Sequence, residues 1–104
     1  MNNATHTPGP WIVTEHSAGM ICVAGPDHKD LCAVGYNKTE GRDDAANANL
    51  IAAAPAMYEA LREAQELIRS LVAEEMIHSS ELQRVGNCQA NMWVALAQAE
   101  GRDK

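Results

Sequence analysis

Met57, Leu61, Ala64, Ile68 and Leu71 follow one another at alternating steps of four and three residues. A helix turns once in about 3.6 residues, so this spacing draws one apolar stripe along one side of a helix. Such a stripe is the seam by which helices pack on helices. Leu50 and Ala54 extend it backwards, and Leu82, Val85, Met92, Leu96 and Ala99 repeat the rhythm, with Gln89 as the polar member. The pattern predicts two long helices able to fold back as an antiparallel hairpin.

Local signals set the ends of these helices. Asp43 and Asp44 offer cap oxygens and favourable charge at a helix start. A helix over Asp44–Ala54 then meets Pro55. In a helix interior a proline removes the bond to the carbonyl four residues back, here Ile51, at a cost of ~3 kcal/mol. A kink or short break is expected, with Pro55 in the first turn of a second helix. That helix should run to about Ile77, about 35 Å at ~1.5 Å per residue. Ser80 with Gln83 forms a capping-box pattern for a third helix. Gly86-Asn87 weakens this helix by ~1 kcal/mol, and Gly101 is placed as its C-cap.

The first third of the chain has a different period. Trp11–Glu15, Met20–Ala24 and Leu31–Tyr36 are short runs rich in Val, Ile, Trp and Tyr, separated by Ser17, Gly19, Gly25, Pro26 and Asp27. They read as an antiparallel meander. Thr7-Pro8-Gly9-Pro10 ahead of them is a stiff, extended lead-in. The expected fold class is α+β in a single domain over residues 1–104. Its lead-in is 1–10, its meander 11–36 and its helical region 44–100. Trp11 reads as an anchor fastening the meander to the helices.

With no Phe, two Trp and two Tyr, small and aliphatic side chains must fill the core. Their stripes exceed what three strands can cover. A homo-oligomer held by Met57, Leu61, Ile68 and Leu71 is therefore expected.

The net charge of −6 disfavours general DNA binding, which needs several Lys or Arg contacts to phosphate. It leaves room for a small anion held by two or three Arg, or for a basic partner protein. The cysteines number three, Cys22, Cys32 and Cys88, without a C-x-x-C. They read as small buried hydrophobes in a reducing cytosol rather than a disulfide framework or zinc knuckle. The longest apolar stretch, Leu50 to Met57, falls far short of the ~20 residues that cross a bilayer. His6, His16, His28 and His78 lack ligand spacing. His78 near Cys88 would supply too few ligands for a closed zinc site. Neither a metal nor a cofactor is expected, and no catalytic set stands out. For ligand binding the candidates are Arg42, Asn47 and Arg62, with Asn49 and Arg69 beside them. An arginine beside a helix N-terminus can hold an anion, and asparagine is a poor helix former there without a task.

His6-Thr7-Pro8-Gly9-Pro10-Trp11, taken with Asp44-Ala45-Ala46-Asn47-Ala48-Asn49-Leu50-Ile51-Ala52-Ala53-Ala54-Pro55 and Met57-Tyr58-Glu59-Ala60-Leu61, resembles a group of small phage and prophage accessory proteins. The pair is also similar to the start of the lambdoid Ead-type early proteins. The resemblance covers both ends of the first sixty residues. It implies a dispensable phage gene that acts against host defence or tunes host regulation. A small sheet followed by oligomerising helices further resembles phage sponge proteins in architecture. That likeness implies a non-enzymatic binder sequestering a cyclic nucleotide or cyclic ADP-ribose immune signal between subunits. The alternative is an acidic protein–protein inhibitor of the anti-CRISPR or host-regulator type, which occupies a host defence protein's surface.

Overall fold

The computed structural model describes residues 6–38 and 40–101. Residues 1–5 of the expected lead-in lie outside the described residues. The architecture is α+β, with a three-stranded antiparallel sheet followed by helices. The chain divides into two compact units, one of residues His6–Met57 and one built on Tyr58 onwards.

In the first unit, β1 (Ile12–Glu15), β2 (Ile21–Ala24) and β3 (Asp30–Gly35) form a meander in the order β1-β2-β3. Thr14 pairs with Cys22 across β1–β2, and Cys22 with Ala33 across β2–β3. Side chains alternate across a sheet, so Ile21 and Val23 share one face and Cys22 the other. Ile21 and Val23 form the core with Ala48 of α1 (Asp44–Ala52). Ala45, Ile51 and Ala52 pack against that core from the helix, Cys32 and Val34 from β3, and Trp11 from the entry strand. Three alanines on one side of α1 let its backbone come close to the sheet.

Asp43 caps α1 by accepting from the Ala46 N–H at 2.9 Å. The break at Pro55 falls where its chemistry requires. α1 ends at Ala52 and α2 (Ala54–Ala73) begins with Pro55 at its second position, where no amide hydrogen is needed. A methyl on Gly9 would come 3.0 Å from the Pro55 ring, so the proline-rich lead-in lies directly on the helix break. Trp11 is half-buried, and its Nε1 donates to the Thr7 carbonyl at 3.0 Å.

In the second unit, α2 is followed by a turn at Ser79–Glu81 and by α3 (Leu82–Glu100). The Tyr58 hydroxyl at the start of α2 donates to the Glu100 carboxylate at the end of α3, so the two helices run antiparallel. Met92, Leu96 and Ala97 of α3 are buried. Leu61, Ala64, Ile68 and Leu71 of α2 are half-buried, and Met57 is exposed.

Two helix ends differ from the sequence reading. α2 stops at Ala73, short of Ile77. The Met76 N–H bonds to the Leu71 carbonyl and the Glu75 N–H to the Val72 carbonyl, with Glu75 at φ 57°. This is the double bond pattern that closes a helix through one left-handed residue. The Ser80–Gln83 capping box does not form. Instead His78 caps the turn, its Nδ1 accepting from the Ser80 N–H at 3.1 Å. Gly101 closes α3 in the left-handed conformation, as its placement predicts. Among the described residues no helix is long and apolar enough to cross a membrane.

Candidate functional site

The most polar buried point of the first unit is Asp44, which is 1% exposed. Its side chain does not cap α1; Asp43 does. The Asp44 carboxylate turns back toward β3 and accepts from Arg42 Nε at 2.7 Å, from Arg42 Nη2 at 3.2 Å and from the Asn37 N–H at 2.8 Å. The Asp44 N–H in turn donates to Asn37 Oδ1 at 2.8 Å. A buried carboxylate needs such partners, because removing a charge from water is costly. The Arg42 hydrogen bond, then the Asn37 N–H, hold the Asp44 carboxyl below the usual carboxylate range against the opposing effect of burial. Arg42 is correspondingly fixed in its charged form, first by that hydrogen bond and then by the Asp44 charge.

Arg42 and Asn47 line one shallow cavity of about 540 Å³ together with Cys32, Val34, Asp44 and Ile51. The cavity is mostly apolar, and its carboxylate neutralises its cation. Arg62, the third predicted ligand residue, belongs to the second unit, where its guanidinium lies 5.7 Å from the Tyr58 ring centroid. Arg42 and Asn47 are thus brought to one place, with Arg42 bound to Asp44. Sequence reading names Asp44 only as a cap. Its role as the partner of Arg42 depends on the turn at Asn37, which has φ 59° and which no spacing rule announces.

The second unit has its own shallow cavity of about 520 Å³ between Leu61 of α2 and Arg84, Cys88, Asn91 and Met92 of α3. The predicted interface residues Met57, Leu61, Ile68 and Leu71 all lie on α2, and none of its twenty residues is buried. The cysteines divide: Cys22 is buried, Cys32 half-buried and Cys88 exposed. The buried-hydrophobe reading therefore holds for Cys22 and fails for Cys88, which is exposed in the shallow cavity beside Leu61 and Met92. One grouping of metal-binding side chains is present among the described residues, His16 with Cys22 and Asp30. It does not include His78 or Cys88.

A family model for Salmonella phage P22 protein Y8K6 matches residues 1–103. The chain belongs to that phage protein family. No curated protein and no solved structure matches it.

Proposed function

We propose that this phage protein is a non-enzymatic accessory protein that binds as a homo-oligomer and occupies the surface of a host protein, in the manner of an acidic inhibitor. One observation carries this reading. Along the whole of α2 no residue is buried, although its four-three seam is apolar. Leu61, Ala64, Ile68 and Leu71 are only half-buried. Half-covered residues at this spacing fit a further helix, and a second copy of the chain carries the same seam. Exposed Met57 and Leu67 on the same helix add apolar area that an assembly would remove from water, at ~25 cal/mol per Å². The net charge of −6 then favours a basic host surface as target and opposes nucleic acid.

Light scattering at micromolar concentration tests the assembly. The wild-type chain should weigh two or more copies, and Leu61→Glu with Ile68→Glu should dissociate it. A stable wild-type monomer would sink the proposal.

A second reading has a specific observation behind it: Arg42 and Asn47 line one cavity. Under that reading the protein sequesters an anionic cyclic nucleotide or cyclic ADP-ribose signal between subunits, with Arg62 of a neighbouring copy contributing. A phosphate would have to share Arg42 with Asp44. Calorimetry against cyclic di- and trinucleotides and cyclic ADP-ribose isomers decides it. Binding that is lost in Arg42→Ala and Arg62→Ala would bring this reading ahead.

A further inference from the structure

The face of the sheet opposite Ile21 and Val23 carries an arrangement that the binding role does not use. His16 follows β1, Cys22 sits in the middle of β2, and Asp30 opens β3. One ligand atom from each lies within 4.8 Å of the other two. His16 Nε2 stands 3.0 Å from Asp30 Oδ2. We propose that His16, Cys22 and Asp30 form a site for a borderline-soft divalent cation, zinc by its chemistry, that clips the three strands together.

Three arguments support the site. The first is chemical. Imidazole, thiolate and carboxylate are the ligands zinc takes, whereas calcium and magnesium want oxygen alone. With bonds of ~2.0–2.3 Å, tetrahedral zinc needs its donors about 3.3–3.6 Å apart. The present spread, at most 4.8 Å, closes by side-chain rotation without moving a strand.

The second is positional. All three residues are held by short backbone links. The His16 N–H donates to the Met20 carbonyl at 2.9 Å, and the His16 carbonyl accepts from the Gly19 N–H at 3.0 Å. Cys22 is fixed between Thr14 and Ala33, and Asp30 opposite Ala24. Pre-positioned ligands lose little freedom when a cation arrives.

The third concerns the thiol. Cys22 is 1% exposed yet lies against a carboxylate. A divalent cation seated between that sulfur and carboxylate would have His16 as its third ligand and leave a fourth position for water. No spacing motif announces this site, because the meander brings its members together from separate strands.

Cobalt titration of the full-length protein, kept reduced with a phosphine, tests the proposal. Wild type should show a thiolate-to-cobalt charge-transfer band that zinc displaces, and zinc should raise its Tm. His16→Ala and Asp30→Asn alter exposed side chains, so they should fold, and each should weaken binding by at least ~10-fold. Cys22→Ser should abolish the band. Cys32→Ser and Cys88→Ser should keep it. Absence of a thiolate band in wild type overturns the proposal. So does a band that survives both His16→Ala and Asp30→Asn, or one that vanishes with Cys88→Ser.

Discussion

Gly35 ends β3 at φ 152°, and a methyl placed on it would lie 2.3 Å from Asp44 Oδ2 and 2.8 Å from Arg42 Nη2. Non-bonded heavy atoms meet comfortably at about 3.5 Å, so Gly35→Ala cannot be absorbed in place. Either the Asp44 carboxylate rotates away from Arg42 and Asn37, or the end of β3 lifts from α1. Backbone strain at such a φ costs ~1–3 kcal/mol. Leaving one buried polar group unsatisfied adds ~1–3 kcal/mol, for a total of ~2–6 kcal/mol. In a chain of this size each kcal/mol moves Tm by ~4–8 °C, so Gly35→Ala should lower it by at least ~8 °C. The control is Gly19→Ala. Gly19 has φ +81° but no atom within 4 Å of the added methyl, so that variant carries strain without collision. Trp11 fluorescence in a Trp93→Phe background reports the first unit alone. If Gly35→Ala and Gly19→Ala melt together, the close fit of Asp44 against β3 is not what holds this corner.

Trp11→Ala should destabilise the first unit toward the low end of the ~3–5 kcal/mol seen for buried aromatics, because Trp11 packs on the Ile21–Val23–Ala48 core while only half-buried; chemical denaturation measures it. Gly86 is exposed inside α3 with nothing within 4 Å of an added methyl, so Gly86→Ala should stabilise the helix by ~0.5–1 kcal/mol, read as a higher Tm of the second unit. The Asp44 carboxyl is held low by Arg42. Its contribution is therefore complete above the unfolded-state value of about 3.9 and is lost as pH falls through the lower folded value. The Tm of wild type should fall below about pH 4; Asp44→Asn should start lower at neutral pH and lose that part of the acid dependence.

What the sequence made legible follows from whether the controlling interaction is local. The strands, the break before Pro55 and the cap at Gly101 depend on neighbouring residues, and each appears where its residues point. The end of α2 was less legible, because Glu75 in a left-handed conformation carries no glycine signal. His78 as a cap was missed for a similar reason, since a Ser/Gln pattern nearby suggested a different one. The Asp44 node and the His16–Cys22–Asp30 cluster join residues across strands and turns, so no periodicity reports them. The two motifs that carry the phage resemblance turn out to touch: Gly9 lies on Pro55, and Trp11 packs on the core cluster that contains Ala48. They fix how the sheet meets its helix. A chain can keep both for the fold's sake, whatever it binds.

The distribution of cations bears on what that target is. The chain has eight Lys and Arg against fourteen Asp and Glu. Among the described residues Arg42 is bound to Asp44 and Arg84 to Glu81 at 2.7 Å. Lys38 lies 5.9 Å from the Tyr36 ring centroid and Arg62 5.7 Å from that of Tyr58. Arg84 could leave its exposed partner at little cost, since such surface pairs are weak. Arg42 could not, because its departure would leave the buried Asp44 carboxylate uncompensated. A phosphate arriving at Arg42 would therefore gain one charged contact while taking another away from the fold. An apolar seam on α2 meets no such competition, because covering it removes surface from water and breaks no existing bond. Under the proposed reading, the same negative balance that would hinder a nucleotide would favour a basic protein surface. On these grounds the helix, rather than the Arg42 cavity, is where binding by this phage protein should first be sought.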